Sequence, residues 1–161
     1  MVEDRSALSH YRDDGSAHMV DVSDKKPTTR TAVAEGRFVT RADVVDQIAE
    51  GRLPKGEALA TARIAGVLAA KQTPTLIPLC HPLPLSKVEI DLTPEEDVVL
   101  IRATVRTTAP TGVEMEAMTA VSVAGLTLYD MVKAVDRAAR LDGIRVISKQ
   151  GGTRDWEAPG A

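Results

Sequence analysis

Four ionisable residues stand on one largely apolar stretch. Gly112 to Val135, GVEMEAMTAVSVAGLTLYDMVKAV, carries Glu114 and Glu116 near its start and Asp130 and Lys133 near its end. Read as a helix, its first turn favours carboxylates through the helix dipole. Asp130 and Lys133, three apart, share a face and can meet. An acid and a base held together can move protons on a substrate. The plainer alternative is a solvated acidic start and one surface ion pair. Glu116 and Asp130 differ by 14 positions, which places them ~40° apart around the helix but ~21 Å apart along it. Groups that far apart do not usually serve one reacting centre within one subunit. If both touch ligand, either the ligand is long or the site is shared between subunits.

Other candidates lie elsewhere. Cys80-His81 sits within TPTLIPLCHPLPL, a stiff apolar run from Thr73 to Leu85. Sequence neighbours rarely chelate one zinc, and the chain has a single cysteine. A histidine donating to a bound ligand fits better than metal or thiol chemistry. Lys55 precedes Gly56 before a helical stretch, where anions bind well, yet no G-x-x-x-x-G-K-[ST] string occurs. Arg30, Lys71, Lys133 and Lys149 fall at element ends or beside glycines and could converge on a polyanion. His18 and Asp21 lie on a short candidate strand, where an unpaired polar residue is the ordinary reading.

The elements that must position these groups follow from periodicity. His18 to Val22 reads as a short strand, and Thr31 to Val39 leans to strand, weakened by Gly36. Thr40 reads as an N-cap with Asp43 in a capping-box arrangement, opening a helix from Arg41 to Glu50 that ends at Gly51. A second helix is expected from about Glu57 to Lys71, burying Ala60, Ile64, Val67 and Leu68, with Gly66 allowing close approach. The prolines of Thr73 to Leu85 argue against helix or central strand there. Lys87 to Leu92 alternates strictly and pairs across a turn with a strand burying Val99, Ile101, Ala103 and Val105. In the long helix, Met118, Val121, Gly125, Leu128, Val132 and Val135 make one apolar stripe, and Gly125 suggests that another backbone comes near. Ile144 to Ser148 is a last strand. The order predicts an α+β fold of the ferredoxin-like split βαβ kind, an antiparallel sheet with helices packed on one face. Residues 1–17 read as a flexible arm, 18–152 as one domain and 153–161 as a loose tail. The apolar, small-residue helix face leads us to expect an oligomer with sites between subunits.

Composition narrows the class. The chain has 161 residues, 43% hydrophobic but only 2% aromatic, and a formal net charge of −3. That suits one domain with an aliphatic core. Scattered aromatics and the lack of a basic block argue against nucleic-acid binding. One cysteine fits a reducing compartment such as the cytoplasm. The opening MVEDRSALSHYRDD resembles neither signal nor transit peptide, and no apolar run reaches the ~20 residues that a membrane span needs.

These residues also carry a resemblance. HMVDVS, KGEALATARIAG, AAKQTPTLIPLCHPLPLSKVE, TGVEMEAMTAVSVAGLTLYDMVKAVD and KQGG together resemble the cyclic pyranopterin monophosphate synthases, the MoaC family of molybdenum cofactor biosynthesis. The resemblance runs from His18 to Gly152. It implies a lyase that converts 3′,8-cyclo-7,8-dihydro-GTP into cyclic pyranopterin monophosphate and pyrophosphate. It implies a homohexamer built as a trimer of dimers, and a site between subunits. No resident cofactor or metal is implied, although Mg²⁺ can accompany the triphosphate. By position, Asp130 would be the catalytic acid/base residue, with Lys133 and Lys55 also catalytic. Leu79, Cys80, His81, Met115 and Glu116 would contact substrate, and Glu114, Asp21, Arg30, Lys71 and Lys149 would complete the pocket. The chain departs from the family pattern at KQGGTRDW, where a serine usually follows the lysine and a Gly/Ser-rich stretch comes next. Two other classes remain open on the residues alone: a non-catalytic nucleotide-binding or assembly module, and a metal-dependent hydrolase using His81.

Overall fold

Strand alternation and two close-packed helices generate the architecture. A computed structural model describes residues 14–161. Its elements are β1 (Thr28–Val39), α1 (Ala42–Ala49), α2 (Ala58–Lys71), α3 (Thr73–Leu76), β2 (Leu85–Glu95), β3 (Val98–Ala109), α4 (Glu114–Val132), β4 (Arg140–Gln150) and β5 (Trp156–Glu157). The five strands form one sheet in the order β2-β3-β1-β4-β5. Every neighbouring pair is antiparallel. β3 lies between β1 and β2, the two strands that α1, α2 and α3 connect, so the connection is a split βαβ. Helices cover one face: α4 packs on β1, β3 and β4, and α2 packs on β2 and against α4. The fold is therefore α+β with an antiparallel sheet, as expected.

The hairpin follows its pattern. Ile90 and Leu92 of β2, and Val99, Ile101, Ala103 and Val105 of β3, are buried, while Lys87, Glu89 and Asp91 face out. The turn is tighter than expected, since the strands run on to Glu95 and resume at Val98. In β1 the buried residues beside Phe38 are small, Ala32 and Ala34. Gly36 continues that row, and a Cβ there would sit 2.7 Å from Val121 Cγ1. The glycine that weakens the strand is what lets α4 lie close to it.

Several expectations are corrected. His18 to Val22 forms no strand; the sheet begins at Thr28, and Val22 instead accepts a turn bond from Lys25. The N-cap of α1 is Arg41, with no side-chain cap. Thr40 Oγ1 instead donates to the buried Asp136 at 2.7 Å, and Asp43 pairs with Arg41. The buried side of α2 is Ala58, Ala62, Gly66, Ala69 and Ala70, whereas Ile64 and Leu68 are 63% and 56% exposed and Ala60 faces out. Close approach to α4 demands the small residues. A Cβ on Gly66 would stand 3.0 Å from the Ala120 carbonyl oxygen and run into Ile90 Cδ1. The proline run opens with one helical turn, α3, because Pro74 sits at the first turn, where no N–H is needed. In α4 the stripe is buried as expected at Val121, Gly125, Leu128 and Val132, but Gly125 makes room for the Leu141 side chain of β4 rather than for a backbone. β4 is longer than its expected core, and the segment read as a loose tail carries β5. Of the arm placed at residues 1–17, residues 1–13 lie outside the described residues.

The Gly66 contact yields a test. Gly66→Ala should cost about 1–3 kcal/mol by overpacking, and lower the melting temperature by several degrees at roughly 2–4 °C per kcal/mol. An unchanged melting temperature would mean that α2 and α4 can slide apart freely.

Candidate active site

The two ends of α4 carry separate groups of candidate functional side chains. At its N-terminus, Val113 is the N-cap without a side-chain cap, and Glu114 and Glu116 stand in the first turn. Glu114 faces a polar wall; Glu116 is turned inward and is only 3% exposed. The segment after α3 folds over it, so that Leu79, Cys80, His81 and Leu83 meet Met115 and Glu116 around a cavity of about 350 Å³. His18 and Val20 close the same cavity from the start of the described chain.

The stiff proline segment explains this placement. With fixed φ at Pro78, Pro82 and Pro84, an apolar chain can be held extended without a ladder of hydrogen bonds. Cys80 N–H bonds back to Ile77, and Thr107 Oγ1 ties down the Pro84 carbonyl at 2.7 Å. His81 is oriented by Val20: its Nε2 lies 2.8 Å from that carbonyl oxygen. A carbonyl only accepts, so Nε2 carries the hydrogen and Nδ1 is left for another partner.

Burial shapes the charges here. Desolvation pushes the Glu116 carboxyl up to about 7, with nearby Glu114 adding to the rise. Burial also raises the Cys80 thiol, and the Glu116 charge adds to it. A thiol moved in that direction ionises less readily and is a poorer nucleophile, which fits Cys80 as part of the cavity wall. Asp21 is pulled the other way by the Ser23 hydroxyl and amide, at 2.6 and 2.9 Å, with His81 adding a small effect.

A second cavity of about 230 Å³ adjoins the first and shares Gly112 and Glu114 with it. Arg30, Lys149 and Arg154 line it. Lys149 Nζ is 3.1 Å from Glu114 Oε1. β1 delivers Arg30, the end of β4 delivers Lys149, and the loop before β5 delivers Arg154.

At the other end of α4, Asp130 is held between two ammonium groups. Lys133 Nζ lies 2.7 Å from Oδ1, and Lys55 Nζ lies 2.8 Å from Oδ2. Hydrogen bonds from Lys133 and then Lys55 lower the Asp130 carboxyl to about 2, and Asp130 in turn raises Lys133. All three side chains are exposed in the single protomer. This cluster is ~21 Å from Glu116 along the helix axis.

The MoaC family model matches residues 19–152. The chain belongs to the MoaC family. A Corynebacterium glutamicum protein called cyclic pyranopterin monophosphate synthase is 60% identical over 94% of this chain and 97% of its own length. A Mycobacterium tuberculosis protein called cyclic pyranopterin monophosphate synthase 2 is 60% identical, over 91% of this chain and 88% of its own length. One from Dinoroseobacter shibae with the first of these names is 55% identical over 91% of this chain.

For this MoaC chain, the structure sorts the residues that the sequence singled out into groups. It gathers Leu79, Cys80, His81, Met115, Glu116 and Glu114 at one cavity, Arg30 and Lys149 at its neighbour, and Lys55, Asp130 and Lys133 at the far end. Lys71 is exposed in the last turn of α2 and lines neither cavity, and Asp21 stands beside the first cavity without lining it. Arg154 is a lining residue without a signal in the sequence, and His18, which reads first as an ordinary polar residue on a candidate strand, is another. His18 gave a signal only as a polar residue in an apolar string; its Nδ1 is buried without a hydrogen-bond partner. Among the described residues, no group of three or more His, Cys, Asp or Glu is placed to hold a metal ion.

The raised Glu116 makes stability depend on pH with a definite sign. Between its ordinary 4.5 and about 7, the folded chain binds more of this proton than the unfolded chain does, so stability falls as pH rises. The loss by pH 8 is at most about 3 kcal/mol, an upper bound because solvent reaches the cavity. Glu116→Gln should remove that slope. Melting curves of both proteins from pH 4.5 to 8 check this, and parallel curves would mean that Glu116 is not desolvated.

Proposed function

We propose that this chain is a cyclic pyranopterin monophosphate synthase. It converts 3′,8-cyclo-7,8-dihydroguanosine 5′-triphosphate into cyclic pyranopterin monophosphate with release of pyrophosphate, in molybdenum cofactor biosynthesis. Family membership and the names of its relatives support the reading. The observation that carries it is the Lys55–Asp130–Lys133 cluster. Exposed ion pairs stabilise a fold little, so these three residues are not needed to build the helix end. In the free chain the pairing holds Asp130 low and Lys133 high, away from the range where protons move easily; a substrate that parts them frees an ammonium donor and a carboxylate acceptor together.

The chemistry divides between the clusters. Opening the purine five-membered ring and closing the pyran ring require several proton transfers. Lys55 and Lys133 are the proton donors of the set, and Asp130 is the carboxylate that positions them and completes the acid/base group. In forming the cyclic phosphate, a ribose hydroxyl attacks the α-phosphorus. The new O–P bond forms as the bond to the β-phosphate oxygen breaks, and pyrophosphate leaves. Cationic side chains offset the charge that develops. The apolar wall of Leu79, Leu83 and Met115 limits competing water. No resident cofactor is proposed; any Mg²⁺ enters with the triphosphate as part of the substrate.

One protomer holds the two clusters at opposite helix ends, which favours a site shared between copies. Ile64 and Leu68 of α2 and Leu126 of α4 (58% exposed) supply an unpartnered apolar surface on the helical side. We take the assembly to be a homohexamer, a trimer of dimers, that acts in the cytoplasm.

Two measurements test this reading. Asp130→Asn should slow pyrophosphate release from the cyclised dihydro-GTP by about 10²–10⁴-fold, the range for lost acid/base function. A parent-like rate would remove Asp130 from the reaction. Inactive Asp130→Asn and inactive His81→Ala subunits, refolded together, should regain activity in mixed oligomers. If the mixture stays inactive while each variant assembles normally, sharing between subunits is wrong.

A further inference from the structure

Two carboxyls are buried among the described residues, Glu116 against its cavity and Asp136 in the turn that follows α4. The Asp136 carboxylate is engaged at both oxygens. Oδ2 accepts from the Thr40 hydroxyl at 2.7 Å and from the Arg41 amide at 3.4 Å, and Oδ1 accepts from the Ala138 amide at 3.0 Å. The bond from Thr40, above all, holds the carboxyl below its ordinary range, so the group stays charged at neutral pH. Arg41 returns a bond: its Nη1 donates to the Val135 carbonyl oxygen at 2.9 Å. The turn closes on itself as well, since the Val135 and Asp136 amides donate to the Val132 carbonyl oxygen at 2.8 and 2.9 Å. The segment after α4 is thus tied at two adjacent residues to Thr40 and Arg41, the pair that opens α1.

These ties reach the Lys55–Asp130–Lys133 set through α1. At the start of α1, Thr40 and Arg41 hold Asp136. Past its end, the turn bearing Lys55 is anchored by the buried Leu53, whose carbonyl oxygen accepts from the Gly56 amide at 3.0 Å, and Lys55 meets Asp130. So α1 lies between two contacts with the C-terminal end of α4, a buried one at Asp136 and an exposed one at Asp130. Water screens the exposed pair, which is too weak to fix its own separation. The buried bonds are shielded and directional, and they can fix it. The Thr40 amide also donates to the Asp97 carbonyl oxygen at 3.0 Å, which carries the frame on to the turn between β2 and β3. Apolar residues of similar volume often close a fold as well as a buried charge does. What they lack is a set distance and direction.

We propose that Asp136 is a positioning residue for the acid/base cluster: through Thr40 and Arg41 it holds α1 and the Lys55 turn in register with Asp130 and Lys133. Its buried carboxylate is closed to substrate and moves no proton. The inference rests on the lyase reading for the reaction affected, whereas the grip on Lys55 is independent of it. A misplacement of about 1 Å in such a set can cost about a hundredfold in rate.

Full-length Asp136→Asn, Thr40→Val and Thr40→Ser proteins are compared with the parent. In turnover of the cyclised dihydro-GTP, Asp136→Asn and Thr40→Val should lower kcat about tenfold and leave KM within about twofold. Thr40→Ser keeps the hydroxyl and should recover most of the loss. A smaller folded fraction would also lower kcat, so the same changes are made in an Asp130→Asn background. There they should cost no more than about twofold, because the set they position is already broken. A tenfold loss in both backgrounds, or a parent-like kcat in both single variants, overturns the positioning role. If Asp136→Asn does not fold, the two Thr40 variants complete the comparison. Competitive acylation of lysines, read by mass spectrometry on folded protein, gives a readout without turnover. Lys55, no longer held against Asp130, should be labelled several-fold faster in Asp136→Asn and Thr40→Val, measured against the exposed Lys26. Unchanged Lys55 labelling overturns the clamp. Faster labelling in the variants of a parent that shows no turnover would keep the clamp and refute the lyase reading instead.

Discussion

Helix α4 is held where no carbon atom can be added. On one side Gly66 of α2 sits against the Ala120 carbonyl; on another Gly125 admits Leu141 of β4, and Gly36 of β1 lies under Val121. Three glycines on three elements therefore fix one helix in depth and rotation. Close packing of this kind transmits position with little slack. It sets where Glu114 and Glu116 emerge at one end and where Asp130 emerges at the other. The rest of the chemistry is arranged about those two points.

The helix has a different electrostatic setting at each end. At the N-terminus a carboxyl is buried under a proline-stiffened wall and made harder to ionise. At the C-terminus a carboxyl stays exposed and is made easier to ionise by two lysines. The same residue class is thus tuned in opposite directions by cover and by counter-charge. A rigid rod between them keeps the two environments from relaxing into each other. Within one protomer they cannot act on a common atom, and that separation is the physical reason for expecting a second copy to complete the site.

Local pattern revealed the parts whose neighbours are close in sequence. The alternation of Lys87 to Leu92 and of Val99 to Val105 set the hairpin and its buried face. The stripe from Val121 to Val132 and the Asp130–Lys133 pair followed from helical spacing. What failed depended on partners far along the chain. The buried face of α2 departs from the apolar pattern because contact with α4 selects alanine and glycine and leaves Ile64 and Leu68 outside. His18 to Val22 has strand-forming residues but no strand to pair with. Lys55 reaches Asp130 across 75 positions, so no spacing rule connects them. Glu116 read as a solvated first-turn acid because its cover comes from Leu79 to Leu83, and Arg154 was hidden in a stretch that looked merely loose.

The rims of the sheet have a consequence of their own. β2 forms one outer strand and carries Lys87, Glu89, Asp91, Pro94 and Glu95, while the opposite rim ends in the two-residue β5. Charges, a proline and a truncated border each discourage a foreign backbone from zipping on. Open-ended, fibre-like growth through main-chain pairing is thereby suppressed, which leaves side-chain surfaces as the route for any contact between copies.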